Sequence, residues 1–182
     1  MVIQRDDAPP GVELTDPAAF RRVLGHFCTG VVIVTAIDGG APVGMTCQSF
    51  SSLSLDPPLV LFSASHSSTS WPRIRRVGSF AVNILADHQE ATSRAFAVSG
   101  GDKFAAVDWS PGVMGAPLLS GCVAHVECRL QSIVAGGDHD IVIGEPVAMG
   151  EDPSQVPLLF FRSGYGRFAP EPSHAIPTRE SL

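Results

Sequence analysis

The chain is 182 residues long, 45% hydrophobic and 16% charged, with 12 basic against 18 acidic side chains and a net charge of −6. That length fits one domain with a proper core, and the acidic balance, with no basic block beyond "RIRR" at Arg73–Arg76, argues against a nucleic-acid partner. No run reaches the roughly 18 apolar residues of a membrane span, and "MVIQRDDAPPGVEL" lacks a basic-then-apolar leader, so the expected setting is cytoplasmic, with no membrane partner.

Residues 1–14 are polar and Pro-containing, and "APEPSHAIPTRESL" at 169–182 carries three prolines. Both are expected to be flexible tails around a single domain at 15–168. "TDPAAFRRVLGHFCTG" predicts a helix capped by Thr15 or Asp16, with Pro17 in its first turn and Gly30 at its end. Phe20, Val23, Leu24 and Phe27 fall on one face of it. "VVIVTAI" is β-branched throughout and predicts a strand buried on both faces. "DGG" at Asp38–Gly40 then turns the chain back through "APVGMT". After the small polar link "TCQSFSS" and the rigid "DPP", "PLVLFS" (Pro58–Ser63) is another buried strand.

"STSWPRIRRVG" predicts a short helix with Ser68 or Ser70 as its cap and Gly78 as its stop, followed by the strand "FAVNIL". In "DHQEATSRAFAV", Asp87 and Glu90 stand at capping-box spacing and predict a second short helix. "SGGDKFAAVDWSPGVMGAP" has little periodicity and is expected to be a long, functional loop. "CVAHVECRLQSIVA", "DIVIGEPVAM" and "PLLFFR" are strands, the first two joined by "AGGDH". Six or seven strands with hairpin connections and no β-α-β alternation predict an antiparallel β-barrel, closed, with peripheral helices.

Several motifs lead nowhere. "GYGRFA" resembles a dinucleotide fingerprint, but Pro170 and Pro172 follow where a helix must open. Cys28, Cys47, Cys122 and Cys128 show neither a C-x-x-C pair nor metal spacing and read as reduced, small hydrophobic residues. "GDHD" lies in a hairpin with no second His or Cys cluster, so no metal site is expected. "TCQSFSS" can offer successive backbone N–H groups and small hydroxyls. That suits a planar, polar-edged, uncharged ring with a phosphate tail, although a satisfied polar turn has the same composition.

"CTGVVIVTA", "PVGMTCQSFSSLSLDPPLV", "SSTSW", "FAVNIL", "DKF", "GGDHDIVIGE" and "PLLFFRSGYGRF", in this order, resemble the flavin reductase family with the FMN-binding split-barrel fold. The resemblance spans Asp16 to Phe168. It implies a mainly β, antiparallel split barrel that reduces FMN or FAD with NADH or NADPH. It also implies a homodimer that passes reduced flavin to a separate monooxygenase. Thr29, Gly30 and Val31 would lie beside the isoalloxazine, and Thr46, Cys47, Gln48 and Ser49 would cradle its pyrimidine edge. Ser52 would reach the ribityl chain, and Ser63, Ser65, Ser68 and Thr69 would hold the phosphate. Phe104 would cover the flavin or shape the dinucleotide half. His139, as the catalytic residue within Gly137, Asp138, His139 and Asp140, would sit near the nicotinamide, and Tyr165 and Phe168 would close the site.

Plainer readings stand beside these. His139 can be a turn residue, Cys47 a packing residue that offers its N–H, Trp71 core, and Arg73, Arg75 and Arg76 a solvated helix face. Asn83 is either a core amide with protein partners or a contact for the flavin tail. Two other functions also fit a split barrel: a flavoprotein with tightly bound flavin that oxidises its own substrate, or a non-catalytic flavin- or haem-binding module.

Overall fold

The computed structural model describes residues 16–169. The expected tails lie almost entirely outside that range. In chain order the elements are α1 (Pro17–Leu24), β1 (Thr29–Gly30), β2 (Val32–Asp38), β3 (Ala41–Cys47), β4 (Ser51–Leu55), β5 (Pro58–Ser65), α2 (Trp71–Val77), β6 (Ser79–Ile84) and α3 (Glu90–Ala97). They continue with β7 (Trp109–Pro111), β8 (Pro117–Leu119), β9 (Ala124–Gly136), β10 (His139–Glu151), β11 (Leu158–Phe161) and β12 (Gly164–Arg167).

Seven strands form one antiparallel sheet in the order β3-β2-β6-β9-β10-β5-β4, and β1-β11-β12 and β7-β8 form two smaller sheets. The large sheet wraps a core that includes Val34, Phe62, Phe80, Val82 and Val142, with Trp71 and Ile74 of α2 packed into it. The expected closed barrel is instead open along one seam, because β3 and β4 are its two ends and do not pair with each other. A second apolar layer, with Ile33, Leu85, Phe96, Leu119 and Leu158, seats α3 and the small β1-β11-β12 sheet on the outer face of β2 and β6.

Local chemistry explains where the elements start and stop. The two-residue turn Gly39-Gly40 has φ of 60° and 84°, a left-handed pair that glycine adopts without strain. Asp16 caps α1 by accepting the Ala18 N–H at 2.9 Å. The helix stops at Gly25, short of the expected Gly30, and Thr29–Gly30 is a strand. Its apolar face is open: Phe20, Val23, Leu24 and Phe27 are 53%, 51%, 55% and 78% exposed.

The Ser68 hydroxyl accepts the Trp71 N–H at the start of α2, while Ser70, at the cap position, donates to the Gly44 carbonyl instead. α3 starts at Glu90, with Gln89 and not Asp87 at its cap position, because the Gln89 side chain bridges Ala86 N–H and Ser120 O and ties the turn to the body. The long loop contains the short β7–β8 hairpin. The buried Glu127 carboxylate holds its tip by accepting the N–H groups of Val113 and Met114, both at 2.9 Å. "SSLSL" and "GYGR" are strands that the sequence reading left out.

Candidate active site at the open seam

Where β3 ends and the sheet fails to close, a cleft of about 490 Å³ opens, within the range of small-molecule sites. One wall is the end of β3 and its continuation, Met45 to Ser49; the other is β5 and the turn into α2, Ser63 to Ser70. The end of α3, together with Lys103 and His139, completes the lining. The first part of the link "TCQSFSS", Thr46 to Ser49, is polar and uncharged where it lines this cleft, because bulk there would fill the space and an unpaired charge would be costly.

The walls are tied together by their own side chains. Ser49 Oγ accepts the Ser63 N–H at 2.8 Å and donates to Ser63 O at 3.3 Å, joining the two sides across the seam. Thr46 donates to Ser93 O at 2.7 Å, which fixes α3 over β3. Gly44 lets α3 come this close: a Cβ there would lie 2.7 Å from the Phe96 ring. Cys47 Sγ sits 3.1 Å from Ser49 Oγ, and burial pushes its thiol pKa up, as expected of a packing residue. Among the described residues, no backbone carbonyl takes the N–H groups of Gln48, Ser49 or Phe50. Those of Gln48 and Ser49 lie at the exposed edge of the cleft, beside the Cys47 sulfur.

Lys103 is the cation that the sequence reading missed, and it is the only lysine in the chain. Its Nζ donates to Gly44 O at 3.2 Å, Phe96 O at 3.1 Å and Ser70 Oγ at 3.5 Å. Among the described residues it has no carboxylate partner. Burial holds its pKa below the ordinary lysine value. Its signal in the sequence is "DKF", where the lysine stands directly before the phenylalanine expected at the site. Phe104 packs edge-on against Phe96 and Trp109, with ring centroids at 4.9 and 6.2 Å, and does not line the cleft.

His139 lines the cleft at the start of β10, directly across from Ser65 of β5. Its Nδ1 lies 2.7 Å from the Asp138 carboxylate, so Nδ1 carries the proton and Nε2 is free to meet a ligand. Hydrogen bonds from His139 depress the Asp138 pKa. Gly137 supplies the left-handed turn position, with φ of 74°. Asp140 faces elsewhere: it accepts from Trp71 Nε1 at 2.8 Å and lies 3.1 Å from His66 Nε2, a network that anchors α2 and lowers the Asp140 pKa.

The structure therefore brings Thr46, Cys47, Gln48, Ser49, Ser63, Ser65, Ser68, Thr69 and His139 together in one cleft. Others lie elsewhere. Asn83 is the satisfied core amide: it donates to Ile33 O and Thr35 Oγ1 and accepts the Leu119 N–H, all while fully buried. Val31 is fully buried in the second core layer, and Ser52 lies exposed on β4. Tyr165 hydrogen-bonds Ser93 at 2.9 Å beneath the Arg94 guanidinium, and Phe168 is 51% exposed beyond β12. Gly30 is exposed on β1. Thr29 lines a separate cavity of about 400 Å³ beside α1, and Gln48 borders both this cavity and the cleft.

A cleft with a polar backbone edge, a ring of hydroxyls and one ammonium without a carboxylate partner among the described residues suits a cofactor-borne redox reaction. The chain belongs to the flavin reductase like domain family, which matches residues 24–169. It is 46% identical to the reductase subunit HsaB of a flavin-dependent monooxygenase from Rhodococcus jostii, over 97% of this chain and 90% of that protein. It superposes on the NADH:FAD oxidoreductase SgcE6 of Streptomyces globisporus, solved with NAD and FAD fragments, with a TM-score of 0.85. Those chains are 41% identical over 90% of this chain and 99% of that one. It also superposes on a nitrilotriacetate monooxygenase component B homologue from Mycobacterium thermoresistibile, with a TM-score of 0.83, 44% identity, and coverage of 90% of this chain and 93% of that one.

Proposed function

We propose that this chain is the reductase of a two-component system, oxidising NADH or NADPH, reducing FMN or FAD, and releasing the reduced flavin to a separate monooxygenase. The observation that carries the reading is the seam cleft, which gathers the backbone of Gln48 and Ser49, the hydroxyls of Ser65 and Ser68 and the Lys103 ammonium around one space, a donor set suited to a flavin mononucleotide moiety. When bound, flavin supplies the acceptor for a hydride from the nicotinamide ring. The protein's share is to bind, orient and polarise.

The backbone N–H groups of Gln48 and Ser49 would hold the polar ring edge and stabilise negative charge there. Ser65 and Ser68 supply hydroxyls, and Lys103 a cation, for a phosphate. With Nδ1 donating to Asp138, His139 has Nε2 left for a ligand group such as a carboxamide. Gln48, Ser49, Ser67 and Thr69 are solvent-exposed, so the cleft is open along one side and a flavin can leave it.

Four free thiols fit a reducing cytoplasm. No helix among the described residues is long and apolar enough to cross a membrane. The test is NADH and NADPH oxidation by purified protein with and without added FMN or FAD. Oxidation that rises with added flavin supports a dissociable flavin substrate. The absence of flavin-dependent oxidation with either nucleotide overturns the reading, and a flavin that copurifies and never exchanges favours the tightly bound alternative.

A further inference from the structure

His139 and Asp140 are consecutive on β10, so the pleat of the strand sends their side chains to opposite faces. His139 goes to the cleft, as do Ser63 and Ser65 of the paired strand β5. Asp140 goes to the core side, opposite Ala64, and does not line the cleft. Its side chain is only 13% exposed, and a carboxylate buried that far needs partners. Oδ2 accepts the Trp71 indole N–H at 2.8 Å, Oδ1 lies 3.1 Å from His66 Nε2, and an Arg75 nitrogen stands 3.7 Å from Oδ2.

All three partners belong to the turn that lines the cleft with hydroxyls or to the helix that follows it. His66 stands between Ser65 and Ser67, whose hydroxyls meet at 2.8 Å. The Ser68 N–H donates to Ser65 O at 3.0 Å, and Ser68 Oγ accepts the backbone N–H of Trp71 at 3.2 Å, so the turn is tied to the head of α2. His66 and Arg75 are 51% and 59% exposed, and their pairs with Asp140 add little. Trp71 is different. It is 3% exposed and packs edge-on against Phe62, with ring centroids at 5.9 Å. Without Asp140 its indole N–H is left unpaired in the core, and the head of α2 loses its anchor on β10.

We infer that Asp140 is a positioning residue of the site: through the Trp71 indole it pins the Ser65–Ser68 turn to β10, and so sets the hydroxyls that meet a flavin phosphate. The inference rests on the flavin reductase reading. It replaces the nicotinamide contact expected of Asp140, which acts on binding only through the turn. The opposite wall is held separately, by the bonds between Ser49 and Ser63 ahead of the turn, so the ring edge at Gln48 and Ser49 does not depend on Asp140.

The test is fluorescence titration of the purified full chain with FMN and with riboflavin, which has the same ring and no phosphate, beside steady-state NADH oxidation at varied FMN. Asp140→Ala is expected to weaken FMN about tenfold, the worth of one buried hydrogen bond, with riboflavin affinity and kcat at saturating FMN within about twofold of wild type. Trp71→Phe keeps an aromatic ring in the core and drops the indole N–H, and it carries the test if Asp140→Ala does not fold. It should reproduce the loss for FMN alone, and the double variant should lose no more than either single one. Asp140→Asn keeps an oxygen for the indole and should hold FMN within about threefold of wild type. Equal losses of FMN and riboflavin would mean that the whole cleft has slumped, and overturn the inference. So would additive losses in the double variant, or an asparagine variant as weak as the alanine one. An asparagine variant that binds FMN more tightly than wild type overturns it too, reducing Asp140 to a charge near the phosphate. Each of these leaves the reductase reading standing; a wild type that binds neither flavin overturns both.

Discussion

At the scale of single residues, the site depends on two groups with different tasks. Lys103 has three oxygen partners and no carboxylate, so its charge is left for a ligand. A charge-assisted hydrogen bond contributes about 2 kcal/mol, so Lys103→Met is expected to weaken flavin binding roughly thirtyfold. An anion needs the protonated amine, and burial has lowered the pKa of that amine. The wild-type advantage over Lys103→Met is therefore full at neutral pH and shrinks as pH rises through the lowered value; paired titrations across alkaline pH would show it. An advantage unchanged up to pH 11 would mean that the lysine acts only through packing. His139 faces the open cleft with Nε2 free. Its replacement by alanine should raise the NADH KM about tenfold, the worth of one hydrogen bond, with flavin affinity nearly unchanged. Collapse of flavin affinity with an unaltered KM would contradict that role.

At the scale of elements, α1 is the one that a single chain leaves unfinished. Its apolar stripe is written plainly in the sequence, yet Phe20, Val23, Leu24 and Phe27 all lie more than half exposed. Beside them, the cavity containing Thr29 shares Gln48 with the cleft. Thr29 Oγ1 is the one fully buried side-chain oxygen without a partner among the described residues. We propose that a second copy covers this face and so buttresses the flavin site. Phe27→Glu should give a monomer near 19 kDa by light scattering and a severalfold loss of flavin affinity. A wild-type monomer with full activity would remove the proposal. Legibility followed the same physics. β2, β3, β5, β6, β9 and β10 carry apolar or alternating runs and are clear in the sequence. β4 is not, because "SSLSL" is an edge strand whose Leu53 and Leu55 are 45% and 93% exposed, so no buried face marks it. β12 carries two glycines in four residues and is held by β11 alone.

At the scale of the molecule, the site lies where the sheet stops. Sequence motifs located the cleft-lining hydroxyls because these follow one another along the chain. Lys103 stands apart from those motifs because it reaches the cleft from a loop some 55 residues beyond the β3 wall, brought there by the packing of Phe96 against Gly44 and the Thr46–Ser93 hydrogen bond. Asn83 misled for the opposite reason: an amide inside a strand has the same sequence signature whether its partners are protein or ligand. The open seam also accounts for a flavin that comes and goes, since a sheet closed through β3 and β4 would bury the floor on which Gln48 and Ser49 stand exposed.

Cys47 adds a consequence for durability. A reductase that releases reduced flavin into air works beside the peroxide that flavin autoxidation generates, and sulfur is the usual casualty. Only a thiolate is readily oxidised. Cys47 lines the cleft, yet its raised pKa keeps it protonated, and Ser49 and the Ser63 carbonyl crowd its sulfur. The exposed Cys28 has no such shelter. Under turnover in air, peptide mass mapping should find oxidation at Cys28 and an intact thiol at Cys47. Sulfenic acid accumulating at Cys47 first would show that the cleft does not shield its own wall.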